Sequence, residues 1–216
     1  MRQLNKNTET VQAVEFHSKE EITLGVLSAV EEDSRITQRS IASELGIALG
    51  LANSYLKRCV DKGLVKIQQV PRNRYAYYLT PRGFTEKARL TADYLKFSFH
   101  FFRRSRKEFE NIFENCIKEN KTKILFSDIS EVSEIAILSS LDKNIEIVGV
   151  IGKGRKRFSG AKVILEINET LTFDYIVITS IINPQSQYKK YAALLGAQRV
   201  VFPEMLSIDN NKEASN

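Results

Sequence analysis

Apolar positions fall into two regimes along the chain, a helical beat in the first half and short continuous runs in the second. In SKEEITLGVLSAVEED the residues Ile22, Val26, Leu27 and Val30 repeat at helical spacing, and Ser18 with Glu21 three positions on forms a capping box at its start. A shorter helix is predicted at QRSIASEL, with Thr37 as N-cap, Ile41, Ala42 and Leu45 inward, and Gly46 supplying a sharp turn after it. A third helix is predicted from about 48 to 62, inward at Ala52, Leu56, Cys59 and Val60, and ended by Gly63. LVKIQQV and YAYYL then read as two strands around the turn PRNR.

After Thr80-Pro81, a cap followed by a proline suited to the first helical turn, a long helical pattern runs to about Glu119. It carries Phe84, Ala88, Tyr94, Leu95, Phe97, Phe101, Phe102, Phe109, Ile112, Phe113 and Cys116, an aromatic stripe that suits either an internal core or a dimer seam. Arg103, Arg104 and Arg106 stand in its middle. From 120 onward the regime changes. KILFSD, IEIVGVIG, SGAKVIL, FDYIVITSI and RVVF read as strands, and SEVSEIAILSSL and the segment through YKKYAALLG as helices. Alternation of strand and helix predicts a mainly parallel sheet. The expected division is an arm at 1–17, a three-helix and hairpin unit at 18–80, a linking helix at 81–119, an α/β domain at 120–204 and a polar, disordered tail at 205–216.

Charge sharpens this picture. Residues 35–107 hold sixteen Lys/Arg against four Asp/Glu, a net +12, whereas residues 121–216 are nearly neutral with twelve against eleven. A basic block on a three-helix unit with a basic hairpin is the electrostatic footprint of a polyanion binder. The face of the third helix turned from its apolar positions carries Leu49, Gly50, Asn53, Ser54 and Lys57, with Arg58 at its margin. Asn53 suits an adenine edge, Ser54 a base or phosphate and Leu49 a thymine methyl. Lys57 and Arg58 suit phosphates, and Gly50 lets the backbone come close. Arg72, Asn73 and Arg74 at the hairpin tip suit a minor groove or the backbone. Thr37, Gln38 and Arg39 open the second helix, whose amides can face a phosphate. The partner these residues predict is double-stranded DNA, bound by a homodimer.

Residues 34–82 resemble a MarR-type winged helix-turn-helix, and LGIALGLANSYLKRCVDKGLVKI with YAYYLTPRGFTEKARLT is similar to the exopolysaccharide-associated branch of that family, over roughly residues 18–100. The second half is similar to the compact Rossmann-like, CoA-binding-like domain of nucleotide-sugar acyltransferases and sugar epimerases. SEIAIL, IVGVI, FSGAKV and FDYIVITS carry that likeness across most of residues 122–203. The fold class expected is therefore α+β: a winged helix-turn-helix joined by a long helix to a small α/β Rossmann-like domain with a mainly parallel sheet. The second resemblance implies a nucleotide sugar or related nucleotide as effector.

Ser127-Asp128-Ile129-Ser130-Glu131 follows the first strand of the second domain without a glycine, so the backbone cannot approach a pyrophosphate and two carboxylates would repel it, which argues against NAD. Gly152-Lys153-Gly154 leads into KRFSGAKV, with no helix after it, and is not a P-loop. A ligand could use Ser127, Ser130 and Ser133, Arg155 and Arg157, and Thr179 or Ser180. The domain could equally serve packing or dimerisation alone. No catalytic constellation or metal spacing emerges, and Cys59 and Cys116 fall on apolar helix positions, where they read as buried thiols. No apolar run reaches the ~18 residues of a membrane span, and the polar N-terminus lacks a secretory pattern, so the cytoplasm is the expected location. A regulator of transcription is the leading reading. Its rivals are an adaptor that binds a protein partner and a sugar-nucleotide enzyme with a DNA-binding appendage.

Overall fold

A computed structural model describes residues 19–71, 74–168 and 170–209. They divide into two compact units, 1–98 and 99–216. The arm at 1–17, Ser18 with its capping box, and the tail residues 210–216 lie outside the described residues.

The first unit contains α1 (19–32), α2 (Gln38–Glu44), α3 (Leu49–Asp61), β1 (Val65–Val70), β2 (Arg74–Leu79) and the first part of α4 (Pro81–Lys118). Its core gathers Val26, Leu27 and Val30 of α1, Ile41 of α2, and Ala52, Leu56 and Cys59 of α3, with Leu90 of α4 closing it. Thr37 caps α2 by accepting from the Ser40 amide at 3.1 Å. Gly46 and Gly63 take the left-handed φ values of +63° and +67° that their turns require. β1 and β2 pair antiparallel, Val65 opposite Leu79 through Val70 opposite Arg74. The Tyr77 amide also donates to the Ser34 carbonyl at 2.7 Å, which ties the hairpin to the turn before α2.

Thr80 locks the start of α4. Its hydroxyl accepts from the Gly83 amide at 3.0 Å and donates to the Gly63 carbonyl at 2.7 Å. Charged residues then bind α4 to α1, Lys87 to Glu31 and Arg89 to Glu20. Arg89 also hydrogen-bonds Glu86, which holds that carboxyl below its ordinary range.

The second unit holds the remainder of α4, then β3 (Lys123–Phe126), α5 (Glu131–Ser140), β4 (Glu146–Ile151), β5 (Arg157–Phe158), β6 (Ala161–Ile164), β7 (Tyr175–Val177), α6 (Pro184–Leu195) and β8 (Val200–Val201). Its sheet has the order β5-β6-β4-β3-β7-β8. All neighbours run parallel except the edge pair β5–β6. Two cores follow from the period-two alternation of the strands. Ile124, Phe126, Tyr175 and Val177 point to one face with Phe109, Phe113 and Cys116 of α4 and Val132 and Ala136 of α5. Leu125, Ile176 and Ile178 point to the other, with Tyr188, Tyr191 and Ala192 of α6. Strands buried on both faces read as unbroken apolar runs, as ILF of β3 and YIV of β7 do.

Gly149 breaks that alternation. Ile147 and Val150 pack into the first core while Val148 and Ile151 pack into the second. The register shifts between Ile124, opposite Ile147, and Leu125, opposite Gly149, so Val148 is left without a partner and Val148 with Gly149 forms a bulge against Leu125. A Cβ there would meet the Lys162 carbonyl oxygen at 2.8 Å.

Two expectations need correction or division. The tail expected to be disordered from 205 is packed as far as 209. The Met205 amide donates to the Glu108 carboxylate at 2.9 Å, the Ser105 hydroxyl donates to the Met205 sulfur, and Ile208 is buried. The aromatic stripe of α4 divides: Phe109 and Phe113 are fully buried, while Phe84, Tyr94 and Leu95 are about half exposed.

Both cysteines are free and buried, and burial pushes each thiol up to about 11. Thiolate is the reactive form, so neither should react with a thiol reagent at pH 8 in the folded protein, and both should react on denaturation. Rapid labelling of the native chain would contradict this burial.

Candidate nucleic-acid interface

The geometry of the first unit follows from how α3 is held. Its inner side, Ala52, Tyr55, Leu56 and Cys59, is buried. The opposite side at its first turn is open: Leu49 is 44% exposed, Leu51 41%, and a Cβ on Gly50 would meet nothing within 4 Å. Ala48, the N-cap, supplies no side-chain bond. The Leu51 and Ala52 amides bond the Ala48 carbonyl, which leaves those of Leu49 and Gly50 to solvent or to an external acceptor, and a helix N-terminus favours an anion such as a phosphate. Ser54 and Lys57 are exposed along the same side.

Asn53 is half-buried, with Oδ1 shielded and without a hydrogen-bond partner among the described residues. It lines a cleft of about 510 Å³ between α3 and the hairpin, together with Gln38, Lys57, Ile67 and Tyr77. An amide whose acceptor has no partner in this rotamer gains by turning toward a donor. An adenine edge offers one donor and one acceptor, which matches an Asn amide.

Arg58 lies apart from that group. Its guanidinium stacks on the Tyr55 ring at 5.5 Å and lines a separate cleft of about 290 Å³ with Lys62, Glu86 and Arg89. Four positions from Ser54, it turns toward α1 and α4. Thr37, Gln38 and Arg39 are exposed at the start of α2, and the Thr37 hydroxyl is already engaged as the cap. Arg72 and Asn73 lie outside the described residues; Arg74 opens β2 opposite Val70.

Sequence reasoning passed over Arg35 and Tyr75. Tyr75 is 59% exposed on β2, and both line a cleft of about 490 Å³ with Thr37, Gln38, Val70 and Tyr77. The signal was present: in a half-buried hairpin an exposed tyrosine beside basic residues suits a phosphate-lined groove.

In the second unit the strand order reverses between β3 and β7, with β4 on one side and β8 on the other. Beyond their carboxyl ends the hydroxyls named from sequence do come together. Ser127 Oγ accepts from the Thr179 amide at 3.0 Å, Thr179 Oγ1 accepts from the Asp128 amide, and Ser130 Oγ donates to the Thr179 carbonyl at 2.6 Å. Ser130 and Ser133 form a capping box on α5. Ser127, Ser133, Thr179 and Ser180 are all buried. This cluster stitches the two strand ends together, its hydroxyls bonded to backbone groups of Asp128, Ser130 and Thr179. Arg155 and Arg157 stand elsewhere, beside and within β5: Arg155 stacks on Phe158 at 5.9 Å and Arg157 donates to the Gly160 carbonyl. Among the described residues no group of three or more His, Cys, Asp and Glu is arranged to hold a metal ion, and no helix is long and apolar enough to cross a membrane.

Residues 19–66 match the winged helix-turn-helix DNA-binding family, so this part of the chain is such a domain. No curated protein sequence matches the chain. Among solved structures, the Staphylococcus aureus protein MepR, a transcription regulator of the multidrug efflux pump MepA, is 20% identical over 55% of this chain and 91% of its own, with a TM-score of 0.37. A MarR transcriptional regulator from Methanosarcina mazei is 20% identical over 55% of this chain and 99% of its own, with a TM-score of 0.33. A Listeria innocua protein of unknown function is 20% identical over 42% of this chain and 68% of its own, with a TM-score of 0.31.

Proposed function

We propose that the chain is a sequence-specific DNA-binding transcription regulator of the MarR type, acting as a dimer on paired half-sites. The observation that carries this reading is the open first turn of α3, uncapped and glycine-bearing, inside a matched winged helix-turn-helix. The first turn of such a helix enters the major groove, and a two-fold dimer reads two half-sites a helical turn apart. Support for the dimer comes from Phe84, Ala88 and Leu95, exposed on one stripe of α4 at the helical period. The likeness of LGIALGLANSYLKRCVDKGLVKI and YAYYLTPRGFTEKARLT to the exopolysaccharide-associated branch, over roughly residues 18–100, suggests genes of polysaccharide synthesis as targets.

Selection of bound fragments from a genomic library, followed by titration of variants, tests the reading. Asn53→Ala should relax preference at one base position, by ~1 to 3 kcal/mol, while Lys57→Ala weakens all sites alike and lowers the salt slope by about one. Gly50→Ala should separate fold from function. Alanine is the better helix former by up to about 1 kcal/mol and meets no neighbour, so the domain should be no less stable, yet duplex affinity should fall. Unchanged binding by all three variants would remove the reading.

The second unit supports an additional reading as an effector domain of Rossmann-like type. The specific observation is the reversal of strand order at β3 and β7, where open α/β sheets hold ligands. With the Ser127, Ser130, Ser133 and Thr179 hydroxyls engaged by backbone groups of the cluster, contacts would come from other backbone groups and from exposed Ile181 and Ile182. A panel of nucleotide sugars and related nucleotides that shifts neither thermal stability nor duplex affinity would sink it.

A further inference from the structure

The cations of the second unit are concentrated in one place. Residues 153–162 carry five Lys/Arg and no Asp/Glu, whereas the rest of 99–216 holds twelve against fifteen. All five, Lys153, Arg155, Lys156, Arg157 and Lys162, are exposed. Elsewhere in this unit some basic side chains find carboxylates, as Arg104 does with Glu108, Arg106 with Glu110 and Lys143 with Glu114, and the unpaired ones, such as Lys107, Lys118 and Lys189, are scattered along the sequence. Among the described residues none of the five has a carboxylate within salt-bridge distance.

The local fold holds these charges together. Phe158 and Ala161 pack toward the core, so alternation turns Arg157 and Lys162 outward. These two stand directly opposite each other across the β5–β6 pair. Like charges in that relation destabilise a hairpin, and neither strand carries an acid to relieve them. The turn that joins them is tight: Ser159 and Gly160 both have positive φ, +46° and +87°, the signature of a two-residue hairpin turn. Its tip is tied down, because the Ser159 hydroxyl donates to the Glu134 carboxylate at 3.0 Å. The result is a hairpin that holds Arg157 and Lys162 side by side on its outward face, with Lys153, Arg155 and Lys156 in the segment that leads into it. Such a set of cations suits a regularly spaced polyanion better than a single small anion.

We propose that the β5–β6 hairpin and the 153–157 segment leading into it are a second, sequence-independent contact for the phosphate backbone of duplex DNA. The proposal rests on the DNA-binding reading of the first unit, which brings duplex to the same chain at high effective concentration. Each phosphate neutralised adds ~0.9 to the dependence of binding on salt.

The test compares two full-length variants of equal charge, Arg155→Gln/Lys156→Gln/Lys162→Gln in the hairpin and Lys107→Gln/Lys118→Gln/Lys189→Gln elsewhere in the unit. Dissociation constants for a mixed-sequence duplex are measured across a salt series. The hairpin variant should lower the salt slope by about 2 and the control by less than one, while base preference stays as in the parent. Arg155→Lys/Lys156→Arg/Lys162→Arg, which keeps the charge, should bind as the parent does. Equal slopes for hairpin variant and control would overturn the proposal, leaving the charge as a guard against edge-strand pairing. So would lost binding to phosphatidylserine vesicles with duplex binding intact, which would make the surface a membrane contact. A parent chain that binds no duplex at all would instead fail the underlying reading, and this inference with it.

Discussion

Replacing Gly83 by alanine should destabilise the first unit by about 3 kcal/mol, a fall of ~10 to 20 °C in its melting temperature. The usual sign is the reverse, since alanine inside a helix gains up to about 1 kcal/mol over glycine. Here the added Cβ would stand 2.1 Å from the Leu64 carbonyl oxygen and 3.0 Å from its carbon. That oxygen is backbone, fixed by the Thr80 amide at 3.0 Å and lying where α3 passes into β1. Neither side can yield without moving the base of the hairpin or the start of α4. A thermal melt decides the matter, and duplex affinity should fall with stability because α3 passes into the hairpin at Leu64. A melt equal to or above that of the parent chain would mean that α4 does not approach Leu64 this closely.

Gly83 also marks how far the sequence could be read. Its neighbours Thr80 and Pro81 announced a helix start, because capping is a local matter of one hydroxyl and a few amides. The close approach of Gly83 to Leu64 is not local, and nothing in the LTPRG stretch distinguishes a helical glycine under contact from one in the open, such as Gly50. The same division runs through the chain. Helices α1 to α3, the hairpin and the alternating strands were legible because one-dimensional periodicity reports which face is buried. The bulge at Gly149 was not, since it depends on how β6 crowds β4. Nor was the packing of 205–209, where Ser105 meets Met205 across a hundred positions and a polar composition had suggested disorder. At the interface, helical arithmetic exposed Leu49, Gly50, Ser54 and Lys57 correctly. It also grouped Arg58 with Lys57, which the fold separates because the Tyr55 ring draws the guanidinium toward α4. In the second unit the bonds of the Ser127 and Ser130 hydroxyls to the Thr179 backbone, about fifty positions away, are a tertiary fact.

The aromatic stripe of α4 gives the sharpest contrast between two positions that look alike in sequence. Phe113 is fully buried and stacks on Phe109 with ring centroids 6.1 Å apart, among residues of β3, α5 and β7. Phe113→Ala should destabilise the second unit by ~3 to 5 kcal/mol, the transfer term plus the cavity that the sheet prevents from closing. Leu95, on the same helix, is 47% exposed. Leu95→Ser should therefore leave the melt within ~0.5 kcal/mol, and its effect should appear in self-association, as sedimentation shifts from dimer toward monomer. A packing helix would lose stability at both positions and a free-standing helix at neither. An α4 that is core at one end and seam at the other loses fold at Phe113 and partner at Leu95, so urea unfolding paired with sedimentation separates the three cases. Loss of stability without dissociation at Leu95 would remove the seam.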